Sequence, residues 1–297
     1  MKRLLLIVNP YATNVTGTRI SGVEEALRER ADVWTRFTER PGHATELARE
    51  GTESGVDAIA VFSGDGTYNE ALNGADGRIP FGFLPGGGTS VFARALGLPR
   101  DPVGAARQVA AALDQGRTRR ISFGAVNGRR FCFAAGLGFD AEAVRRIDEL
   151  GRDDGGARPG DFAFGLAAAR ILFERRVRFE PELELMGFGR AAFVLVANGD
   201  PYSYAGRLPL RIAPDARFED GIAFAAPERV RAGDVPRLLT AAVRGRSFGA
   251  GVYTGVDLDR LEAVCDRPMP LHVDGEDLGD VEYAVFEARR DALDCLV

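Results

Sequence analysis

The chain has 297 residues, a formal net charge of −5 and a hydrophobic content of 45%. This length exceeds that of a usual single domain, so we expect two domains with a sizeable core each. The acidic balance excludes nucleic acid as the expected partner, because polyanion binders concentrate positive charge. No stretch reaches the roughly 20 apolar residues that cross a bilayer. The short apolar run at residues 4–8 is better explained as a first strand than as a signal peptide.

Strands and helices alternate in the predicted structure of the first 120 residues. Strands are expected near 3–8, 32–37, 57–62 and 80–84, and helices near 18–30, 42–53, 67–74, 90–96 and 101–115. This alternation of strands and helices is typical of a three-layer α/β domain with a parallel sheet.

A glycine-rich turn, Ser63-Gly64-Asp65-Gly66-Thr67, joins the third strand to its helix. Glycines permit close approach of a ligand and left-handed backbone conformations, and the N-terminus of the next helix favours anionic oxygen. The Asp65 carboxylate can meet magnesium or an acceptor hydroxyl. The only lysine is Lys2, which excludes a P-loop. On this motif alone, an ordinary tight turn is the alternative.

A second glycine-rich turn, Pro85 to Ser90 with three consecutive glycines, follows the fourth strand. Ligands of open parallel sheets bind beyond the carboxyl ends of the strands, so the two turns can line one crevice. Together they predict a nucleotide site rather than two flexible loops.

After about residue 120, short apolar stretches are broken by Gly, Pro and Asp, which predicts antiparallel strands of a β-rich second domain. These stretches are 121–123, 130–134, 182–186, 191–197, 210–213 and 222–225. Residues 170–176 predict an amphipathic helix that either packs on this domain or docks on a membrane. The docking alternative would use Phe162, Phe164, Phe173, Arg175, Arg176 and Arg178.

The cysteines and histidines favour structural roles. Cys132, Cys265 and Cys295 lack close spacing, so we expect reduced core residues of a cytosolic protein. His43 and His272 are too few for a zinc site.

Several motifs run in order through nearly the whole chain. They are Asn9-Pro10, Thr38 with Gly42-His43-Ala44, Ser63 to Gly74, Pro85 to Pro99, Gly136 to Ala141, Asn198-Gly199, Pro214 with Asp220-Gly221, and Val273 to Glu276. In order and spacing they resemble the diacylglycerol kinase catalytic-domain superfamily, which includes bacterial lipid kinases and sphingosine kinases and is distantly related to NAD kinases and phosphofructokinases. The resemblance implies an α/β protein with two domains. One is an N-terminal Rossmann-like three-layer domain of the NAD kinase and lipid kinase type, residues 1–120, to which about 285–297 return. The other is a C-terminal β-sandwich domain, residues 121–284, for the lipid.

Two stretches depart from the usual family pattern. Ser63 occupies a position where most members have glycine, and sphingosine kinases resemble this chain in having serine there. In the second turn, Gly88, Ser90 and Val91 occupy the positions of the usual threonine, asparagine and aspartate. The polar network that these family residues form must therefore be made by other groups. Thr89 can supply the hydroxyl from one residue away.

The resemblance implies an ATP-dependent lipid kinase that transfers the γ-phosphate, with Mg²⁺, to the hydroxyl of a diacylglycerol-like lipid. Such an enzyme is cytoplasmic, meets the inner face of the membrane peripherally and serves phospholipid biosynthesis, and a homodimer remains open. The implied nucleotide contacts are Asn9, Thr38, Ser63, Gly64, Asp65, Gly66, Thr67, Asn69, Glu70, Gly87, Gly88 and Thr89.

By the same resemblance, Glu276 is the expected general base and Asp65 a magnesium-linked carboxylate that could share or take that role. Asp220, with the carbonyl oxygens of Arg217 and Ile222, matches a structural magnesium site. An ordinary hairpin turn is the alternative for both carboxylate turns.

Three other functions stay open. They are a sphingosine-type long-chain base kinase, an NAD kinase, and a nucleotide-binding regulatory module without turnover. The residues that follow the first glycine turn resemble lipid kinases rather than NAD kinases, and retention of Asp65 and Glu276 argues against the regulatory module.

Overall fold

The computed structural model of the chain describes residues 1–149, 161–206 and 208–297, and in the helix at 161–174 the side chains from 165 onward. The described residues form two compact units. Unit 1 contains Met1–Ile121 and Asp291–Val297, and unit 2 contains the other described residues, from Ser122 to Arg290.

Unit 1 is a parallel sheet with helices on both faces, in the order β4-β3-β1-β2. Its elements are β1 (Lys2–Val8), α1 (Gly17–Arg28), β2 (Ala31–Phe37), α2 (His43–Glu53), β3 (Ala58–Ser63), α3 (Asp65–Gly74), β4 (Phe81–Pro85), α4 (Val91–Ala95) and α5 (Pro102–Gln115). Near the C-terminus, Cys295 pairs in parallel with Phe81 at the β4 edge.

Helix packing in unit 1 confirms the predicted three layers. Gly51 of α2 lies against the side chains of Leu5 and Ile59, whereas Gly82 of β4 lies against Val109 of α5. Ile59 is in register with Phe81, the neighbour of Gly82, and successive strand residues point to opposite faces. Helices α2 and α5 therefore cover opposite faces, and β3 between them is buried throughout.

Unit 2 is β-rich, and its main antiparallel sheet has the order β14-β13-β10-β7-β15-β16. Its elements are β5 (Arg119–Val126), which begins in unit 1, β6 (Arg129–Phe131), β7 (Ala134–Leu137), α6 (Phe139–Glu149), α7 (Asp161–Glu174), β8 (Leu183–Leu185), β9 (Gly189–Ala191), β10 (Val194–Ala197), β11 (Ser203–Ala205), β12 (Leu208–Leu210), β13 (Ile222–Pro227), α8 (Val235–Arg244), β14 (Val252–Leu258), β15 (Arg260–Val273) and β16 (Glu276–Cys295). Strand β16 continues into unit 1 after Arg290.

Four predicted elements of this half need correction. The strand expected at 130–134 is broken at Cys132 and Phe133, between β6 and β7, because the N–H groups of these two residues donate to the Asp274 carboxylate. The strand expected at 191–197 is broken at 192–193, between β9 and β10. The strand expected at 210–213 is instead β12, which ends at Leu210, and Ile212 and Ala213 are buried in a cluster with Ala241 of α8. The helix expected at 170–176 ends at Glu174, because Arg176 and Val177 take positive φ values of 50° and 47°. The side chains of Phe162 and Phe164 lie outside the described residues.

The three cysteines are free and buried, and burial raises the pKa of the Cys265 thiol to about 11. In the described ranges, no helix combines the length and apolar character needed to span a membrane.

Candidate active site

The carboxyl ends of the unit 1 strands bring most of the predicted nucleotide contacts to one sheet edge. Val8 is in register with both Phe37 and Phe62, and Ser63 is in register with Pro85. Thr38 directly follows β2, and its N–H donates to the Val8 carbonyl over 2.8 Å. Asn9 and the two glycine turns follow the other three strands, as the parallel sheet requires.

The two glycine turns touch each other through their backbones. A Cβ added to Gly87 would lie 2.7 Å from the Cα of Gly64, and one added to Gly64 would lie 3.1 Å from the Cα of Gly87. Close approach, rather than left-handed conformation, is therefore what requires glycine here. Gly64 has φ −101°, and Gly66 is likewise outside the left-handed region that glycine permits. In these turns Ser90 takes the left-handed conformation instead.

Three polar side chains fix the start of α3. The Ser63 hydroxyl donates to the Thr67 hydroxyl over 2.8 Å, and the Asn9 amide donates to the same oxygen over 3.0 Å. Helix α3 begins at Asp65, two residues earlier than predicted, with Gly64 as its N-cap. Ser63 thus supplies a hydrogen bond that the usual family glycine could not.

Asp65 joins the two turns. Its Oδ2 accepts the Val91 N–H over 2.8 Å, and its Oδ1 accepts the Phe92 N–H over 2.9 Å. The Ser90 hydroxyl accepts the Gly87 N–H over 3.1 Å. The polar network that the departures at Ser90 and Val91 called for is therefore built from backbone amides and Asp65, at a helix N-terminus that stabilises a carboxylate.

Asn14 is a contact that sequence reasoning missed. Its N–H donates to the Gly86 carbonyl over 2.8 Å and its side-chain amide donates to the Gly87 carbonyl over 2.7 Å. No motif marks this residue, because the contact depends on how the loop after β1 meets the second turn.

The remaining predicted contacts differ in accessibility. Gly66 and Gly88 have open space where a side chain would stand, so their backbones are approachable. Asn69 is buried and accepts hydrogen bonds from the Asn73 side chain. The Glu70 carbonyl accepts the Thr45 hydroxyl, and the Thr89 carbonyl accepts Arg94. Asn69 therefore contributes to helix packing, whereas the two glycines face outward.

The predicted base lies in unit 2, at the hairpin between β15 and β16. Val273 pairs with Glu276, and Asp274 and Gly275 between them have φ values of 47° and 80°, as a two-residue type I′ turn requires. The Glu276 carboxylate forms an ion pair with Arg129 over 3.0 Å, and its side chain is 56% exposed. The hairpin alternative is thus correct for the backbone, and it presents Glu276 to solvent.

Asp274 anchors this hairpin, which sequence reasoning did not anticipate. Its buried carboxylate accepts the N–H groups of Cys132, Phe133 and Ala134 over 2.6, 3.0 and 3.1 Å. Three amide donors to one carboxylate hold the turn firmly against the start of β7.

His272, one residue before β15 ends, belongs to a buried polar triad. Its Nε2 lies 2.7 Å from the Asp140 carboxylate, and the Tyr202 hydroxyl contacts both groups. The Gly275 N–H points to His272 Nδ1 over 3.4 Å. The tautomer with the proton on Nε2 satisfies both contacts. Burial, and then the charge of Asp140, raise the pKa of Tyr202 well above its ordinary value, so its hydroxyl stays protonated.

The predicted metal residues lie in the turn before β13. The Arg217 carbonyl accepts the Asp220 N–H over 3.1 Å, and Ile222 begins the strand. The half-buried Asp220 carboxylate has no hydrogen-bond or ion-pair partner in the described part of the chain, where no three His, Cys, Asp or Glu side chains gather. One carboxylate with nearby carbonyl oxygens suits a hard cation such as Mg²⁺, and a single charge makes the binding weak.

Comparisons with known proteins agree with this arrangement. A family model described as the diacylglycerol kinase catalytic domain matches residues 3–126. A diacylglycerol kinase from Bacillus subtilis is 28% identical over 288 residues, which cover 93% of this chain and 90% of the relative.

Two solved structures share the fold. A Bacillus anthracis protein described as a diacylglycerol kinase superimposes with a TM-score of 0.73, at 20% identity and with 99% of this chain and 96% of the other covered. An NAD kinase from Archaeoglobus fulgidus, solved in complex with ATP, gives a TM-score of 0.53 at 13% identity, with 99% and 93% covered. The fold is therefore of the NAD kinase and lipid kinase type, with a β-rich C-terminal part. The match over residues 3–126 and the similarity of almost the whole chain to a diacylglycerol kinase support a relationship to the diacylglycerol kinase catalytic-domain superfamily and the activity of a phosphotransferase with an alcohol acceptor.

Proposed function

We propose that this protein is an ATP-dependent lipid kinase that transfers the γ-phosphate to the hydroxyl of a diacylglycerol-like lipid. The observation that carries the proposal is the backbone contact between the turns at Gly64 and Gly87 at the carboxyl edge of a parallel sheet. The name of the Bacillus subtilis relative supports the acceptor class, and the ATP complex of the NAD kinase neighbour supports the donor.

In this proposal unit 1 holds ATP. The outward backbones of Gly66 and Gly88 approach the phosphates, and Asn9 and Thr38 border the same edge. Bound Mg²⁺ would neutralise the charge on the phosphoryl oxygens. Asp65 is the carboxylate offered to it in the turn, and Asp220, with the carbonyls of Arg217 and Ile222, would hold a second, structural ion.

In unit 2, Glu276 accepts the proton of the acceptor hydroxyl. Its exposed carboxylate can receive a proton, and the ion pair with Arg129 orients it. Asp274 holds the backbone of the turn in place, which fixes the point from which the Glu276 side chain extends. The base contributes on the order of 10²–10⁴ in rate.

Transfer of labelled γ-phosphate from ATP with Mg²⁺ tests the proposal. The acceptors are detergent-dispersed diacylglycerol, monoacylglycerol, sphingosine and prenyl alcohols, with NAD as a separate acceptor. Labelled diacylglycerol is expected. Label on sphingosine or NAD alone would assign the long-chain base kinase or NAD kinase alternative, and ATP binding without any labelled acceptor would favour the regulatory module.

The variant Glu276→Gln tests the base in the same assay. It should lose 10²–10⁴ in kcat and bind ATP normally. The matched control is Glu282→Gln, which removes the same charge from an exposed position of the same strand and should retain wild-type turnover. Near-normal kcat in Glu276→Gln would refute the assignment.

The same function implies a cytoplasmic protein that meets its lipid peripherally, at the inner face of the membrane, and takes part in phospholipid biosynthesis. Cell fractionation at low and high salt tests this localisation, because peripheral electrostatic binding is released by salt.

A further inference from the structure

Resting on the proposed lipid kinase activity, we infer that helix α8 and the segments on either side of it form a docking surface for an anionic bilayer. The α8 surface is defined by three unpaired arginines, Arg229, Arg244 and Arg246, and by two exposed apolar residues, Leu239 and Val243.

Helix α8 presents apolar side chains on the side away from the core. Ala241 is buried, and Leu238 and Ala242 pack with it against a cluster of the unit 2 core. Leu239 and Val243, one helical turn apart, remain 57% and 37% exposed. A helix with a basic flank and outward apolar residues is the type that lies in the plane of a membrane interface.

The charge of this segment is opposite to that of the whole chain. Residues 229–246 contain five arginines and one acidic residue, Asp234, a net charge of 5 − 1 = +4, whereas the chain carries −5. Arg229, Arg244 and Arg246 make no ion pair with any residue that the structure describes. Their guanidinium groups are therefore available for lipid phosphates without breaking an existing contact.

Helix α7, the docking helix considered from sequence, differs in this respect. Arg170, Arg175 and Arg178 are each bound to a glutamate, over 2.8 to 2.9 Å. Their charge is neutralised within the protein, and binding a head group would require them to give up these partners. Arg176 makes no ion pair with any residue that the structure describes, and Leu166 and Phe173 of α7 are exposed. The α7 segment thus offers one such arginine, whereas α8 and its flanks offer three.

A shallow groove beside α8 offers room for a head group. It has a volume of about 410 Å³ and is lined by Pro236, Arg237, Thr240, Ala241, Arg246 and Ser247. The lining contains two hydroxyls and two guanidinium groups, the chemistry that recognises phosphate. Arg237 donates to the Phe248 carbonyl and lies 3.8 Å from Asp234, whereas Arg246 makes no ion pair with a described residue, so Arg246 is the guanidinium group that is free to bind a phosphate here. Because apolar Leu239 and Val243 adjoin these groups, the expected occupant is an anionic phospholipid surface.

Flotation of the full chain with vesicles tests the surface, without ATP or a lipid substrate. The vesicles contain phosphatidylcholine alone or phosphatidylcholine with phosphatidylglycerol. We expect binding only with phosphatidylglycerol. Arg244→Gln/Arg246→Gln should weaken it about 25-fold, since each basic residue near an anionic surface contributes about 1 kcal/mol, or about fivefold. Leu239→Ser should weaken binding by more than about tenfold.

The matched control is Arg36→Gln/Arg49→Gln, which removes the same charge from two exposed arginines of unit 1 that lack an ion pair with any described residue. It should bind as the wild type does. Equal loss in the control and α8 pairs, wild-type binding of the α8 pair, or absence of phosphatidylglycerol-dependent binding would each overturn the inference.

Labelling of detergent-dispersed diacylglycerol by the same wild-type preparation separates the two proposals. Label without vesicle binding would refute the α8 surface and leave the kinase function standing. Vesicle binding that responds to the α8 variants, without a labelled acceptor, would support the surface and refute the kinase function.

Discussion

Substitution of Gly87 by alanine is the sharpest test of how the two glycine turns form one site. The new methyl carbon would lie 2.7 Å from the Cα of Gly64 and 3.4 Å from the Ser90 hydroxyl oxygen. Carbon atoms pack at about 3.5–4.0 Å, so one turn has to move by about 1 Å. The neighbour is backbone and cannot rotate away. We therefore expect a loss of about 1–3 kcal/mol in the free energy of unfolding, the usual cost of overpacking.

Gly88→Ala is the matched control for folding, since nothing lies within 4 Å of a Cβ at this position. Its free energy of unfolding should stay within about 0.5 kcal/mol of the wild type. If the Gly88 backbone approaches a phosphate, its methyl group should weaken ATP binding by roughly tenfold to a hundredfold, the value of one charge-assisted hydrogen bond.

Urea unfolding followed by fluorescence measures the first effect, because the single tryptophan, Trp34, lies in β2 of unit 1. Titration calorimetry with ATP measures the second. Wild-type stability of Gly87→Ala would show that the turns do not touch. Wild-type ATP affinity of Gly88→Ala would show that the second turn does not hold phosphate.

Three further substitutions test carboxylates. Asp65→Asn should cost about 1–3 kcal/mol in urea unfolding, because an amide directs N–H groups at one of the two backbone donors that Asp65 now accepts; wild-type stability would contradict this contact. Asp274→Asn should be destabilising by a similar amount and also lower kcat, and unchanged kcat would show that the turn does not position the base. Burial raises the pKa of Asp277, but hydrogen bonds from Arg145 and the Gly279 N–H outweigh it, so the net pKa is lowered. Its ion pair is therefore fully stabilising above the unfolded value near 3.9 and lost as the pH falls through the folded value. Asp277→Asn should cost about 1–2 kcal/mol at about pH 7 and progressively less below about pH 4, and a pH-independent difference would refute the ion-pair explanation.

The elements of unit 1 could be predicted closely because buried parallel strands form continuous apolar runs. Strand β3, buried at every residue, shows this most clearly. The start of α3 was predicted two residues late, since glycine and aspartate favour turns in local preference. The helix begins at Asp65 because its carboxylate is held by the amides of α4, a contact far away in the sequence.

The elements of unit 2 were less predictable because its long strands mix buried and exposed residues along their length. In β15, buried Leu261, Ala263 and Cys265 alternate with less buried Glu262 and Val264, and Pro268 and Pro270 interrupt the pattern. Register shifts at this point accommodate the prolines, which lack an N–H for the ladder. Such a strand gives no continuous apolar run to recognise.

The candidate site was predicted in its backbone turns and missed in its supporting contacts. Glycine turns have a local sequence signature. The contacts of Asn14, Asp274 and His272, in contrast, join segments more than 70 residues apart in the sequence, and the His272–Asp140 pair spans 132 residues. Hydrogen bonds of this kind arise from tertiary packing, so neither spacing nor composition marks them.

The structure also decides which carboxylate can be tested cleanly as the base. Both oxygens of Asp65 accept backbone amides, so removing its charge disturbs the junction of the two turns whatever chemistry it performs. An inactive Asp65 variant therefore cannot distinguish a lost base from a displaced nucleotide. The side chain of Glu276 is 56% exposed and bound to Arg129 at the surface, where an ion pair contributes little to stability. Loss of kcat in Glu276→Gln at unchanged stability would therefore report on proton transfer. Of the two variants, only Glu276→Gln can decide whether Glu276 or Asp65 is the general base.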